Sequence, residues 1–557
     1  MSKQRGEKTS ETSSANQGRG GSSVPDTALS LIDAYERRAN NRSDGEVHHD
    51  SEIRSFLNDI RQAIGEDKVI KANFERSSSA RPTLPLDGIA QFIEDNMKKT
   101  DKNPESFRAF EDGLHARVME FERACLAEEL KKYDVDADAI EINGVSLRRA
   151  VRSAKTYTTG AGDVVVERWL YRDRSDDKSR CVCPMELKAG IIDGLMTDKA
   201  AKLSTWVVAQ FTPQKAEELF DRVGNMNPSK STLDRLLKNL SERWEDDREK
   251  FQDALCEAIV VPEDTVSIAV SLDGVLIPME STATVGDAQK PKESTKKQPQ
   301  IGAVYHEAGC GTVSFCDGKG QMLGAIRMAR APEHKKTTLK TALAKTVKAV
   351  LQARPDVEVV KVADGAHDNW KYLDSLDLPP GYQVLDFFHA SQHLHEALAS
   401  VYGANTQKKK SEYEQLRRTM RYHRYGAAKV IRALEELDRE HPNNQIVQRE
   451  LHYFKTNKQR MKYAVIADKG MMIGSGVVEA ACKTLVTQRI KLSGMYWSPK
   501  GSQAILTPRG WDQSECFDKA WALVAATYGS EVTILANVIN LTRPKPNTER
   551  ISRKMAS

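Results

Sequence analysis

The stretch KTTLKTALAKTVKAVLQARPDVEVVKVADG, Lys336 to Gly365, constrains the fold more than any other. Its first part repeats apolar positions at three and four, the pattern of an amphipathic helix. Its end is a compact apolar run, Val359, Val360, Val362 and Ala363, that stops on Asp364 and Gly365. A helix that leads into an apolar strand is a crossover connection, and it has to return beside a strand from earlier in the chain. VSIAVSLDGVLIPM, from Val266, supplies one: Ile268, Val270 and Leu272 alternate with small polar residues, and the strand is expected to end at Asp273. IGAVYHEAG and GTVSFCD read as further strands, and YQVLDFFHASQHLHEALASVY as a short strand running into a helix at His389. Together these predict a mixed α/β sheet.

With 557 residues the chain is long enough for three or four domains and needs no disulfide staples. Hydrophobic residues at 39% and charged residues at 29% are ordinary for a soluble protein. The most apolar candidate for a membrane span, Trp521 to Leu541, is interrupted by Thr527, Ser530, Glu531, Thr533 and Asn537. The amino terminus lacks the apolar segment of a secretory signal, so a cytoplasmic protein without a membrane partner is expected. Eight cysteines without a CxxC pair fit a reducing compartment; Cys181 and Cys183, one spacer apart, could begin a zinc site, but no second Cys or His pair follows at a usable spacing.

Residues 1–24 are rich in Ser, Gly and charge and are expected to be a disordered tail, followed by an amino-terminal helical region over 25–139. Over 140–180 the period changes, and VRSAKTYTT, GAGD and VVVERWLYR read as a β-hairpin region. From 181 to 260 helices return, with helix-turn-helix character in FTPQKAEELFDRVGNMNPSKSTLDRLLKNLSERW, where Thr212 caps the first helix and Pro213 opens it. Lys230 and Arg235 on the second helix could meet DNA, or the pair could be a packed hairpin with a solvated face. The sheet domain is placed at 261–540, with a helical insertion at about 400–470, and a basic tail over 541–557.

Charge is uneven. Val401 to Tyr463 holds 15 Lys and Arg against 7 Asp and Glu, a net of +8 in a chain whose total is +5. Lys408, Lys409, Arg417 and Arg421, interleaved with Tyr413, Tyr422 and Tyr425, could follow a phosphate backbone and stack on bases; a solvated helix face is the plainer meaning of such a run.

Asp273 and Asp364 at strand ends, with Glu479 early in the helix that GMMIGSGVVEAACKTLVTQRIKLSGMYW opens behind a Ser475 cap, could together hold two Mg²⁺ ions. Hard carboxylate oxygens suit Mg²⁺ or Mn²⁺. Each acid also has a plain reading: SLDGVL as a hairpin turn, Asp364 as a turn after a strand, Glu479 as a helix-face acid one turn from Lys483. His389 and His393 are four apart but lack the glutamate of a metalloprotease, and His367 and Asp368 read either as outer support to Asp364 or as a helix start.

The blocks SLDG, VADGAHDNW, DFFHASQHL and GSGVVEAACKTLVTQRIKLSGMYW, in that order, resemble insertion-sequence transposases of the ISKra group, which carry a DDE triad. The separations are comparable, 91 residues from Asp273 to Asp364 and 115 from Asp364 to Glu479. The resemblance implies a ribonuclease-H-like domain whose metal ligands and catalytic residues are Asp273, Asp364 and Glu479, with the basic helices as an insertion. It further implies Asp386 and His389 as support, and Lys483 and Trp497 as residues that meet DNA. The expected activity is Mg²⁺-dependent cleavage at element ends and transfer of a 3′-hydroxyl into target DNA by a homo-oligomer in a synaptic complex. The alternative is a catalytically inactive, transposase-derived DNA-binding protein.

Overall fold

The computed structural model describes residues 86–100, 103–176, 178–280, 304–376, 378–379 and 381–535. The tail over 1–24, the Lys-rich loop from Ser281 to Gln300 and the basic tail over 541–557 lie outside them. The chain divides into two compact units; Ala90–Met97, in helix α1 (Leu86–Met97), is the described part of the first, and all later elements belong to the second.

Helix α2 (Pro104–Lys131) starts at a capping box between Asn103 and Ser106. It packs on β3 (Gly162–Arg172), the outer strand of an antiparallel sheet ordered β3, β2 (Val145–Thr159), β1 (Ala139–Ile142) and β9 (Thr533–Ile534). Helix α3 (Pro184–Lys188) and the helices α4 (Asp198–Gln210), α5 (Pro213–Val223), α6 (Lys230–Asp246) and α7 (Arg248–Glu257) follow. Thr212 Oγ1 accepts from Lys215 N at 3.2 Å and Ser229 Oγ from Thr232 N at 3.3 Å, so both members of the α5–α6 pair have side-chain caps.

The larger sheet has five strands in the order β6 (Met322–Arg330), β5 (Val304–Cys316), β4 (Ser267–Met279), β7 (Glu358–Ala363), β8 (Tyr382–Leu385). β6, β5 and β4 run antiparallel in turn, whereas β7 is parallel to both β4 and β8. Helix α8 (Thr337–Ala353) makes the crossover into β7, and its Leu339, Leu343, Val347 and Val350 bury against Ile268, Val270 and Leu272 on one face of the sheet. Helix α9 (His367–Ser375) lies on that face too, through Trp370 and Leu373.

Between β8 and the last blocks stand α10 (Phe387–Tyr402), α11 (Gln407–Tyr422), α12 (Gly426–Glu440), α13 (Gln445–Asn457) and α14 (Tyr463–Asp468), whose Leu394, Val430, Leu434 and Phe454 share one core with Ala269, Val360, Val362 and Val384 of the sheet. Helix α15 (Gly476–Ala481) passes through a π turn, Cys482–Thr487, into α16 (Gln488–Ile490), and α17 (Pro499–Gln513) and α18 (Phe517–Ala526) are the last helices among the described residues.

Four sequence expectations are corrected. β4 does not end at Asp273 but runs on to Met279, because β5 is long enough to pair with it throughout, Asp273 opposite Cys310. The described part of IGAVYHEAG and GTVSFC form one strand, β5 (Val304–Cys316); Gly309 and Gly311 look like a break but serve close packing, since a Cβ on Gly309 would come within 2.7 Å of Leu339 Cδ2. The third antiparallel strand is instead Met322–Arg330. Finally, α10 begins at Phe387 rather than His389, because Asp386 is its cap, and Ser475 makes no side-chain cap to α15.

The π turn leaves carbonyls without regular partners, and Arg509 of α17 takes them up. Its Nε donates to Leu485 O at 2.8 Å, its Nη2 to Thr484 O, and its Nη1 to Ala209 O at 2.7 Å. Arg509→Met keeps the volume but leaves these buried acceptors unmatched, and chemical denaturation should show a loss of about 3 kcal/mol.

Candidate catalytic site

Asp273 sits in mid-strand on the sheet face opposite α8, shared by the side chains of Ala269, Ser271, Ile277 and Met279. Its Oδ1 accepts from Gly274 N at 2.7 Å, and its Oδ2 faces Cys482 Sγ at 3.7 Å. Glu479 is one helical turn before Cys482, so the contact brings the helix that carries Glu479 against the strand that carries Asp273. The Glu479 side chain itself is exposed.

Asp364 follows the last residue of β7, at the carboxyl end of the strand parallel to β4. Its Oδ1 accepts from Ala366 N and from Asn369 Nδ2, each at 3.1 Å, and its carbonyl takes the indole N–H of Trp370 at 2.6 Å. These bonds hold the turn into α9, the Asx arrangement expected of an aspartate after a strand. Gly365 is required by a neighbour from the insertion: a Cβ there would stand 2.3 Å from the Tyr453 ring. Tyr453 stacks on His393, with ring centroids 3.7 Å apart, and its buried hydroxyl has no hydrogen-bond partner. His393 Nδ1 is 2.5 Å from Glu450 Oε2, so this histidine is engaged by a carboxylate.

Asp386 joins the parts. Its N–H donates to Ala363 O at 2.8 Å, its Oδ1 caps α10 by accepting from His389 N at 2.6 Å, and its Oδ2 accepts from both Ser475 N and Ser475 Oγ, the latter at 2.6 Å. Phe387 N donates to Ile473 O at 3.1 Å beside it. The β7 end, the α10 start and the loop into α15 are therefore one hydrogen-bonded junction.

The electrostatics place the acids together. Burial pushes the Asp273 carboxyl above its ordinary value; the bond from Gly274 opposes this, the negative charge of Asp364 adds to the rise, and His389 and Lys336 counter it. Asp273, Asp364, His389 and Lys336 thus share one field. Lys336 Nζ also pairs with Glu307 Oε1 at 3.1 Å, and Glu307 lies where a Cβ on Gly274 would stand, 2.2 Å from its Oε1. Lys336, Glu307, Asn369, Tyr453 and Cys482 were not legible as site residues. Only the DG pairs at 273–274 and 364–365 hinted that something passes close by.

The other candidates spread over the surface. Lys230 and Arg235 are exposed on α6, away from its buried Leu233, Leu236, Leu237 and Leu240 face. Lys408 stands 4.4 Å from the Tyr402 ring centroid and Lys409 Nζ 2.9 Å from His395 Nε2. Arg417 and Arg421 lie 5.2 and 5.4 Å from the ring of Phe387, the residue after Asp386, so the basic helix α11 abuts the junction. Lys483 is exposed, and Trp497 is half-buried with its indole N–H donating to Ile490 O at 2.8 Å.

Asp273, Asp364 and Glu479 supply hard oxygen donors, and the first two repel each other in a way a divalent cation would relieve. Among the described residues, no group of three His, Cys, Asp or Glu side chains is close enough to hold a metal ion, so Asp273, Asp364 and Glu479 do not form one. No described helix is long and apolar enough to cross a membrane.

No family model matches the chain, and no curated protein matches it. Among solved structures, the Drosophila P element transposase strand transfer complex is 10% identical over 61% of this chain and 82% of that one, with a TM-score of 0.23. The Mos1 transposase paired-end complex with left transposon end is 13% identical over 50% and 79%, with a TM-score of 0.13. Superpositions this loose do not establish a shared fold.

A carboxyl raised above its unfolded value favours folding below the carboxylate range and opposes it once ionised, as pH rises through the raised value. Asp273→Asn removes that opposition while still accepting from Gly274. Without divalent cations its melting temperature at pH 7.5 should exceed that of wild type, with the gain shrinking as pH falls through the carboxyl range. A lower melting temperature at pH 7.5 would contradict this account of the site.

Proposed function

We propose that the chain is a DNA transposase that cleaves at element ends and joins a 3′-hydroxyl to target DNA in a metal-dependent reaction. The observation that carries the reading is the junction itself. Asp386 ties the end of β7, which Asp364 follows, to the loop before the helix of Glu479, and Cys482 just after that helix faces Asp273 Oδ2 at 3.7 Å. The mixed order with its parallel β4–β7 pair supports the ribonuclease-H-like reading of this domain, as do the sequence blocks that resemble ISKra-group transposases.

In this reading Asp273 and Asp364 are the paired ligands of a divalent cation, Mg²⁺ or Mn²⁺, and Glu479 is the third donor, contributed by α15. When bound, the cation activates the attacking oxygen and stabilises the leaving one. The chain's own groups do the positioning. Asn369 and the Ala366 N–H aim Asp364, the Gly274 N–H aims Asp273, and Asp386 holds both the start of α10 and the loop before α15. The positive charge of Lys336 acts on Asp273 and suits an incoming phosphate. A synaptic assembly of several copies belongs to the same proposal.

Glu479's exposure favours a second reading, a DNA-binding protein that has lost catalysis. Cleavage and joining of DNA carrying the gene's own flanks, with Mg²⁺, separates the two. Wild type should act, while Asp364→Asn and Glu479→Gln should each lose at least about a hundredfold in rate and still bind the DNA. Binding by wild type without any cleavage in Mg²⁺ or Mn²⁺ would leave the second reading standing.

A further inference from the structure

The turn His334–Lys336 and helix α8 carry five lysines, Lys335, Lys336, Lys340, Lys345 and Lys348, and no acid. Together with Tyr372 of α9, four of them line an open groove of about 570 Å³ on the outer side of α8. Lys345 is paired with Asp253 at 2.8 Å and Lys336 with Glu307. Among the described residues, Lys335, Lys340 and Lys348 have no carboxylate within 4 Å. A solvated helix face ordinarily mixes signs, whereas this one gathers one sign around a concavity.

Two further observations single out the groove. Lys335 and Lys336 both adopt left-handed backbone, φ 52° and 54°, at a cost on the order of 1 kcal/mol each for residues with a side chain. Such strain collects where side-chain direction matters, and here it leads into the amino end of α8, where Leu339 N already donates to Glu333 Oε1 at 2.9 Å, so the anion-binding part of the groove is its lysine row. The groove also has a direction. Its amino end is marked by Lys336, whose stem lies against Gly309, the strand partner of Gly274. Tyr372 forms the wall: its hydroxyl donates to Lys340 O at 2.6 Å, and its ring stands 5.4 Å from Lys340 Nζ.

We propose that the groove between α8 and α9 binds the phosphate backbone of the DNA substrate, on the face of the sheet opposite the Asp273 side chain. This rests on the DNA reading above and adds to it a contact surface separate from α6 and the basic helix α11. From Lys335 to Lys348 the rise along a helix is about 20 Å, enough for roughly six nucleotide steps of one strand at about 3.4 Å each. Lysine on flexible stems suits this role, because the backbone is met by charge and not by base pattern.

The test uses the full chain and a fluorescent duplex carrying the gene's flanks, in EDTA so that no cleavage occurs. Affinity is followed from about 50 to 300 mM salt, a range over which phosphate contacts are released. Lys340→Gln with Lys348→Gln should lower the slope of log affinity against log salt by about 2 and weaken binding about tenfold near 100 mM. The control pair Lys131→Gln with Lys132→Gln removes the same charge from α2, where both lysines are already paired with glutamates, and should change neither. Equal melting temperatures show that the variants are folded. An unchanged slope with DNA binding intact overturns the groove and leaves the transposase reading in place. Failure of wild type to bind the duplex at 50 mM salt overturns both. A matched RNA duplex is run alongside; if the groove variants weaken only RNA binding, the DNA assignment is overturned.

Discussion

One buried carboxylate holds the site together. Asp386 is 1% exposed, yet its backbone and two oxygens reach Ala363, His389 and Ser475, which belong to three separate stretches of chain. A buried charge is tolerated only when it is fully hydrogen-bonded, and each such bond to a carboxylate contributes roughly 1.5–3 kcal/mol. Ser475 gives up the usual duty of a cap residue to serve it: its hydroxyl points to Asp386, not to the first turn of α15. The positions of Asp364, His389 and the helix of Glu479 all depend on this set of bonds.

Around that junction the chain makes local concessions. Asp273 lies within a continuous strand beside buried thiols, with Cys310 opposite and Cys482 against it, so its charge is supported chiefly by Gly274 and by distant cations. The π turn that follows α15 disturbs the helix ladder just where Cys482 meets Asp273, and Arg509 repairs the carbonyls it frees. Interruptions of this kind are frequent at functional sites, because they turn one side chain without moving the whole helix.

Positive charge approaches the acids from two sides. The insertion brings Arg417 and Arg421 over Phe387, and the α8 turn brings Lys336 toward Asp273. Leu394 of α10 and the insertion's Val430, Leu434 and Phe454 join one core with Ala269, Val360 and Val384 of the sheet, and Tyr453 lies on Gly365. That packing explains why a helical segment can interrupt a sheet domain without weakening it: the interruption contributes a wall of the site.

The sequence by itself determined the crossover helix, the apolar strand before Asp364, the α5–α6 pair and the three acids as candidates. Each is a local pattern of period or turn chemistry, and local patterns survive without knowledge of neighbours. Where it misled, the cause was a distant partner. Gly309 and Gly311 look like a chain break because glycine usually is one, and only the approach of Leu339 explains them. β6 has few alternating apolar residues, since as an edge strand it is mostly half-buried. Only the folded chain sets the charge of Asp364 against Asp273, brings Cys482 to Asp273 and lays Tyr453 on Gly365. Contacts between residues a hundred positions apart are set by how strands pair and helices pack, and no window of sequence carries that information.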